Sequence, residues 1–236
     1  MEAQRQDQKD PNEGNPLVRF SDIIPREAME DLSVTIVGAG GIGAPAALCL
    51  AKMGVRRLKI YDHDTVEEPN LGTQMYSRKQ LGKPKVLALK RYLKQQADWC
   101  EVEAVHDWFT NQEVDTPVIV SAVDSLEVRR QIWTHVYNNT DVSFLVDPRM
   151  GAEVLNVIHI VPKVEKVYYE KTLEGEAISA PCTAKATFYT GLVAGALTAQ
   201  AVKAWAVNER KDIFVDYSID LRYINMMGTP LDGIEL

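Results

Sequence analysis

The chain of 236 residues carries 26 Lys and Arg against 33 Asp and Glu, a formal charge of −7, with 46% hydrophobic and 25% charged residues. That size reads as one large domain, or a domain with a small appendage, with apolar content for a sizeable core. The acidic balance excludes a non-specific nucleic-acid binder, which needs a basic face. No apolar window reaches the ~20 residues of a transmembrane helix, and the polar start Met-Glu-Ala-Gln-Arg is not that of a signal peptide. The three cysteines (Cys49, Cys100, Cys182) form no CxxC pair, so neither a disulfide framework nor zinc is expected, and a reducing cytoplasm is.

Residues 1–16 read as a flexible tail and residues 17–236 as one domain. Residues 17–30 are a short helix or loop. Val34–Val37 is a buried β-branched strand, Ile42–Met53 has helical spacing with Gly54 as C-cap, and a second strand ends at Asp62. This β-α-β start implies a parallel sheet. An amphipathic helix follows over 84–97, then strands over 101–105 and 116–123, a helix over 126–138, and a strand from Ser143 that ends at Asp147. Residues 152–161 read as a further strand that can pair antiparallel, and 162–181 as a charged, irregular crossover loop. The stretch 187–206 is a small-residue helix whose two glycines suit close approach to the sheet. YINMM, at 223–227, adds a last strand. The sum is an α/β, Rossmann-like, doubly wound, mostly parallel sheet with additional C-terminal strands and helix.

Gly38-Ala39-Gly40-Gly41-Ile42-Gly43 is GxGxxG between strand and helix, where backbone N–H groups can approach a phosphate. Asp62 stands where an acid grips ribose hydroxyls. A glycine turn that only packs helix on sheet is the plainer alternative.

After Asp62 the text departs from a dinucleotide enzyme. Asp62-His63-Asp64-Thr65-Val66, Asn70-Leu71-Gly72-Thr73-Gln74, Gly82-Lys83-Pro84-Lys85 and Asp124 with Arg129 follow in order. This set resembles the ThiF/MoeB superfamily of ubiquitin-activating-enzyme-like adenylyltransferases over residues 17–206. The DPRMGAEV stretch at 147–154 is similar to a bacterial or phage branch without the zinc CxxC pairs. The resemblance implies ATP-dependent adenylation of the C-terminal carboxylate of a ubiquitin-like protein, a sulfur carrier ending in Gly-Gly, or a peptide. It also implies Mg²⁺ and a homodimer, with no nucleic acid or membrane partner.

In that scheme Gly38, Gly40, Gly41 and Gly43 let the backbone approach ATP and Asp62 takes the ribose. Lys85 meets the phosphates, Asp124 holds Mg²⁺ or orients the α-phosphate, and Asn70 and Gln74 donate to phosphate oxygens. Asp64 is a second acid near the metal. The plainer readings are a solvated Lys85, turn residues at Asp64, Asn70 and Gln74, and Asp124 as a helix N-cap. Two family arginines are missing, with Asp22 and Thr73 in their places, and Arg149 is a candidate replacement cation. Cys182, before a helix and near Lys185, is either a nucleophile for the activated acyl group or structural. The four histidines have no ligand spacing. A non-catalytic nucleotide-binding scaffold and an NAD(P)-dependent oxidoreductase remain as alternative functions.

Overall fold

The computed structural model describes residues 14–110, 114–174, 186–208 and 216–221. Seven strands form one sheet in the order β3-β2-β1-β4-β5-β6-β7. They are β1 (Ser33–Val37), β2 (Arg57–Tyr61), β3 (Glu101–Val105), β4 (Val118–Ser121), β5 (Phe144–Gly151), β6 (Val154–Ile160) and β7 (Asp216–Asp220). The first five run parallel, and β6 and β7 add antiparallel pairs. The order reverses at β1, between β2 and β4, which opens a crevice at the carboxyl edge where ligands of such sheets bind.

Alternation along each strand splits the core in two. Val34, Ile36, Leu58, Ile60, Val118 and Val120 face one side. There they meet α2 (Gly43–Lys52), α3 (Lys85–Gln96) and α6 (Phe188–Ala206). Val37, Tyr61, Ile119 and Leu145 face the other side, under α4 (Leu126–Asn138) and α5 (Lys166–Thr172), a set closed by Trp133 and Tyr169. A short helix, α1 (Arg26–Glu30), leads into β1.

Three expectations are corrected. Within 162–181 the chain forms the helix α5, ended by arginines: Arg149 donates to the Thr172 carbonyl at 3.0 Å and Arg130 to that of Leu173 at 2.9 Å. Strand β5 does not stop at Asp147 but runs to Gly151. Its pairing with β4 ends at Val146, and a strand with one neighbour tolerates Pro148. The glycines of α6 approach the glycine turn and α2 rather than the sheet: a Cβ on Gly191 would lie 2.3 Å from the Gly41 carbonyl oxygen, and one on Gly195 2.6 Å from Pro45. The last described strand is Asp216–Asp220, whereas YINMM at 223–227 lies outside the described residues.

Candidate nucleotide site

The glycine turn hangs between two strands. Gly38 N–H donates to Tyr61 O and Ala122 N–H to Val37 O, each at 2.8 Å. Gly38 has φ +99°, and a Cβ there would sit 2.5 Å from the Ala122 carbonyl oxygen. A Cβ on Gly43 would sit 1.8 Å from the Gly38 oxygen, so neither position admits a side chain. The turn runs into α2, which begins without a capping side chain. Its first N–H groups and the positive end of its dipole therefore face the crevice, an arrangement that suits an anion.

Asp62 braces this turn from β2. One carboxylate oxygen accepts from Ala39 N–H and the other from Asp64 N–H, both at 2.7 Å. Each oxygen keeps a lone pair for a further donor. Lys85 is buried, not solvated, at the first position of α3. Its Nζ lies 2.8 Å from Asp64 Oδ2, while His63 Nε2 lies 3.1 Å from Asp64 Oδ1. Tyr76 ties the two halves together: its buried hydroxyl donates to Ala39 O at 2.6 Å and lies 3.4 Å from Lys85 O. Burial, and after it the charges of Asp62 and Asp64, hold this phenol's pKa well above its usual value. The sequence reading missed Tyr76, because an aromatic after a turn motif carries no spacing signal of its own.

Among the motif residues, Gln74 and Thr73 reach the glycine turn: Gln74 Nε2 lies 3.9 Å from the Cβ position of Gly40, and Thr73 O 3.4 Å from that of Gly41. The Gln74 Oε1 is buried with no hydrogen-bond partner among the described residues, an open acceptor beside the turn. Asn70 spends its amide oxygen on Glu67 N–H at 2.9 Å in a capping box, which leaves Nδ2 as its outward donor. Thr73 turns its hydroxyl back onto Pro69 O at 3.3 Å. Asp124 stands exposed after β4 and is not the cap of α4; Ser125 is, accepting from Val128 N–H at 3.4 Å.

Arg149 does not stand free as a substitute cation. Its guanidinium donates to Asp147 Oδ2 at 2.7 Å and to the Thr172 hydroxyl at 3.1 Å. Asp147 is fully buried and also pairs with Arg129 and accepts from the Tyr169 hydroxyl at 2.9 Å. Cys182 and Lys185 lie outside the described residues.

For Mg²⁺ the donor chemistry is suitable. Asp62, His63 and Asp64 offer ligand atoms within 4.8 Å of one another, and carboxylate oxygens are the hard donors this ion takes. Asp124, expected as the metal acid, is not among these three. Beside them, the His63 and Trp108 rings stack at 3.4 Å, and His106 Nε2 meets His63 O at 2.8 Å. No helix among the described residues is long and apolar enough to cross a membrane.

Similar proteins agree with this architecture. The adenylyltransferase and sulfurtransferase MOCS3 of Anopheles gambiae is 36% identical over 107 residues, 43% of this chain and 24% of that protein. The tRNA threonylcarbamoyladenosine dehydratase 2 of Saccharomyces cerevisiae is 28% identical over 122 residues, 48% of this chain and 27% of that one. The chain thus spans about a quarter of the length of these curated relatives. Of solved structures, PaaA superposes with a TM-score of 0.71 at 17% identity, covering 94% of this chain and 75% of that one. E. coli MccB with ATP gives 0.59 at 20% identity, covering 78% and 58%. Identities this low show a shared fold. The ThiF family model matches residues 16–209, nearly the whole described chain, and the chain belongs to the ThiF family.

Proposed function

We propose that the chain adenylates the C-terminal carboxylate of a ubiquitin-like or sulfur-carrier protein, or of a peptide, with ATP. A carboxylate oxygen bonds the α-phosphorus while the bond to the β-phosphate's bridging oxygen breaks and pyrophosphate leaves. The observation that carries this reading is Lys85: a buried ammonium paired to half-exposed Asp64, joined through Tyr76 to the glycine turn beside an uncapped helix start. A triphosphate is the ligand that needs both.

In this reading the backbone at Gly38, Gly40, Gly41 and Gly43 takes the phosphates and Asp62 takes the ribose. Asn70 Nδ2 and Gln74 Nε2 donate to phosphate oxygens. Mg²⁺, held by Asp124 with Asp64 as a second acid near it, would neutralise phosphate charge. The thiolate of Cys182 would then attack the mixed anhydride, forming a thioester and releasing AMP. The acidic charge balance favours a protein or peptide donor over a nucleic acid, and cytoplasmic work as a homodimer is part of the same proposal. The oxidoreductase alternative rested on the glycine fingerprint alone and gives Lys85 no task.

ATP–pyrophosphate exchange with Gly-Gly-ended carrier proteins and with peptides tests the proposal. Exchange is expected from the native chain and from Cys182→Ala, and loss from Lys85→Ala and Asp124→Ala. No exchange with any carboxylate, despite tight ATP binding, would instead support a non-catalytic nucleotide-binding protein. Specific observations favour that second reading: Thr73 is turned to Pro69, and Arg149 is locked on Asp147, so the two missing family arginines have no replacement from these residues.

A further inference from the structure

Where parallel pairing ends, the carbonyls beyond it lose their neighbours, and past the β4–β5 pairing one side chain collects them. Arg129 of α4, 5% exposed, donates to Ser121 O at 2.9 Å, to Val123 O, and to Pro148 O at 3.3 Å. Its ion pair with Asp147 balances the charge. A guanidinium presents its donors in one rigid plane, so acceptors that share it are fixed relative to one another. The turn held in this way is Ala122-Val123-Asp124. Its opposite side is the surface against which the nucleotide turn closes: Gly38 abuts the Ala122 carbonyl, and the Cβ position of Gly43 lies 3.3 Å from Ala122 Cβ. Its last residue is the exposed Asp124. Burial, with Arg149 nearby, lowers the Arg129 pKa to about 10 against the opposing charges of Tyr169 and Asp124, so it remains a cation at neutral pH.

We propose that Arg129 is a positioning residue for the nucleotide site: by gripping the carbonyls of Ser121 and Val123 it sets the Ala122–Asp124 turn, and through it the Asp124 carboxylate, against the glycine turn. It touches no ligand itself. This rests on the reading that ATP binds at Gly38–Gly43.

A double-mutant cycle on the full chain tests it, with Mg²⁺-ATP affinity measured by calorimetry and folding followed by thermal melting. Arg129→Lys keeps the charge, but an ammonium cannot meet the same carbonyls in one plane. We expect it to weaken Mg²⁺-ATP by about tenfold, and Asp124→Asn by a similar factor. The combined variant is expected to lose about tenfold, not a hundredfold, because one residue acts through the other. Asp147→Asn removes the counter-ion but not the carbonyl grip. It should lower the melting temperature while ATP affinity stays within about twofold. Where Arg129→Lys does not fold, Arg129→Gln together with Asp147→Asn removes acid and base at once and replaces it in the cycle. Additive losses, an Arg129→Lys variant that binds ATP like the native chain, or an Asp147→Asn variant that loses as much affinity as Arg129→Lys would each overturn the proposal. A native chain that binds no ATP overturns this proposal together with the proposed function, an outcome distinct from the other three.

Discussion

At the β1–β2 end of the sheet's carboxyl edge, Asp64 joins Lys85 and His63; at the β4–β5 end, Asp147 joins Arg129, Arg149 and Tyr169. Both clusters set an acid among basic groups, yet the Asp64 side chain is 47% exposed and that of Asp147 is 0% exposed. Water can take over the solvation of Asp64 when a ligand claims Lys85, so the first cluster can exchange partners. In the second, parting Asp147 from Arg129, which is also buried, leaves the Arg129 charge buried without compensation. Similar chemistry thus serves ligand capture at one end and fixes strand ends at the other, and solvent access decides which.

Loss of the acid has different consequences in the two clusters. Asp147→Ala strands two arginines and should destabilise the chain by about 3–5 kcal/mol, whereas Asp64→Ala, which leaves the buried Lys85 without one acceptor, should cost about 1–3 kcal/mol. Urea unfolding of both variants measures this. Equal losses would mean that the two clusters are not different in kind.

Gly43→Ala comes next and strikes the seam between them. The added carbon meets the Gly38 carbonyl, which is backbone and cannot swing aside. Overpacking of this sort costs about 1–3 kcal/mol. The displaced turn should also lose ATP binding, which titration calorimetry reads directly. A variant that is stable and binds ATP normally would show the turn to be looser than its contacts indicate.

Lys85→Ala separates stability from binding. Asp64 remains solvated, so stability should change by about 1 kcal/mol at most, while ATP affinity falls about tenfold or more through the lost charge-assisted contact. A large stability loss with intact affinity would move Lys85 into the structural class of Arg129.

How far the sequence revealed these two clusters differs for physical reasons. The first lies on contiguous motifs: the glycine turn, Asp62-His63-Asp64 and Gly82-Lys83-Pro84-Lys85 each have a spacing that local chemistry explains. The second is assembled from a helix residue, two residues of one strand and a tyrosine on a seven-residue helix, three elements distant along the chain. Nothing in the spacing of Arg129, Asp147 and Tyr169 shows that they meet, and Arg149 read alone looks like a spare cation. Helix α5 was hidden for a related reason: at seven residues it is too short for periodicity to emerge, and it is held by Arg149 and Arg130 from outside its own segment. The parallel order of β1 to β5, by contrast, follows from the alternation of buried runs with helical segments, which needs no long-range knowledge.

The smallest expected effect compares the two buried phenols. Burial raises both pKa values above the usual phenol value. Around Tyr76 the charges of Asp62 and Asp64 add to that rise, whereas Arg129 and Arg149 oppose it at Tyr169. A phenol with a raised native pKa keeps its proton after the unfolded chain has lost it. The stability this represents is complete below about pH 10, the unfolded value, and drains away as pH climbs beyond it. Tyr76→Phe should therefore flatten the alkaline decline of the urea midpoint more than Tyr169→Phe does. At neutral pH the order should reverse: Tyr76 loses a bond to a neutral carbonyl, about 1 kcal/mol, and Tyr169 one to a carboxylate, about 1.5–3 kcal/mol. Urea midpoints of the native chain and both variants between about pH 7 and about pH 11 show whether the two curves cross. Parallel curves would mean that the acids around Tyr76 are screened by water as far as its hydroxyl, and that the open cluster exerts no more field on its neighbour than the sealed one.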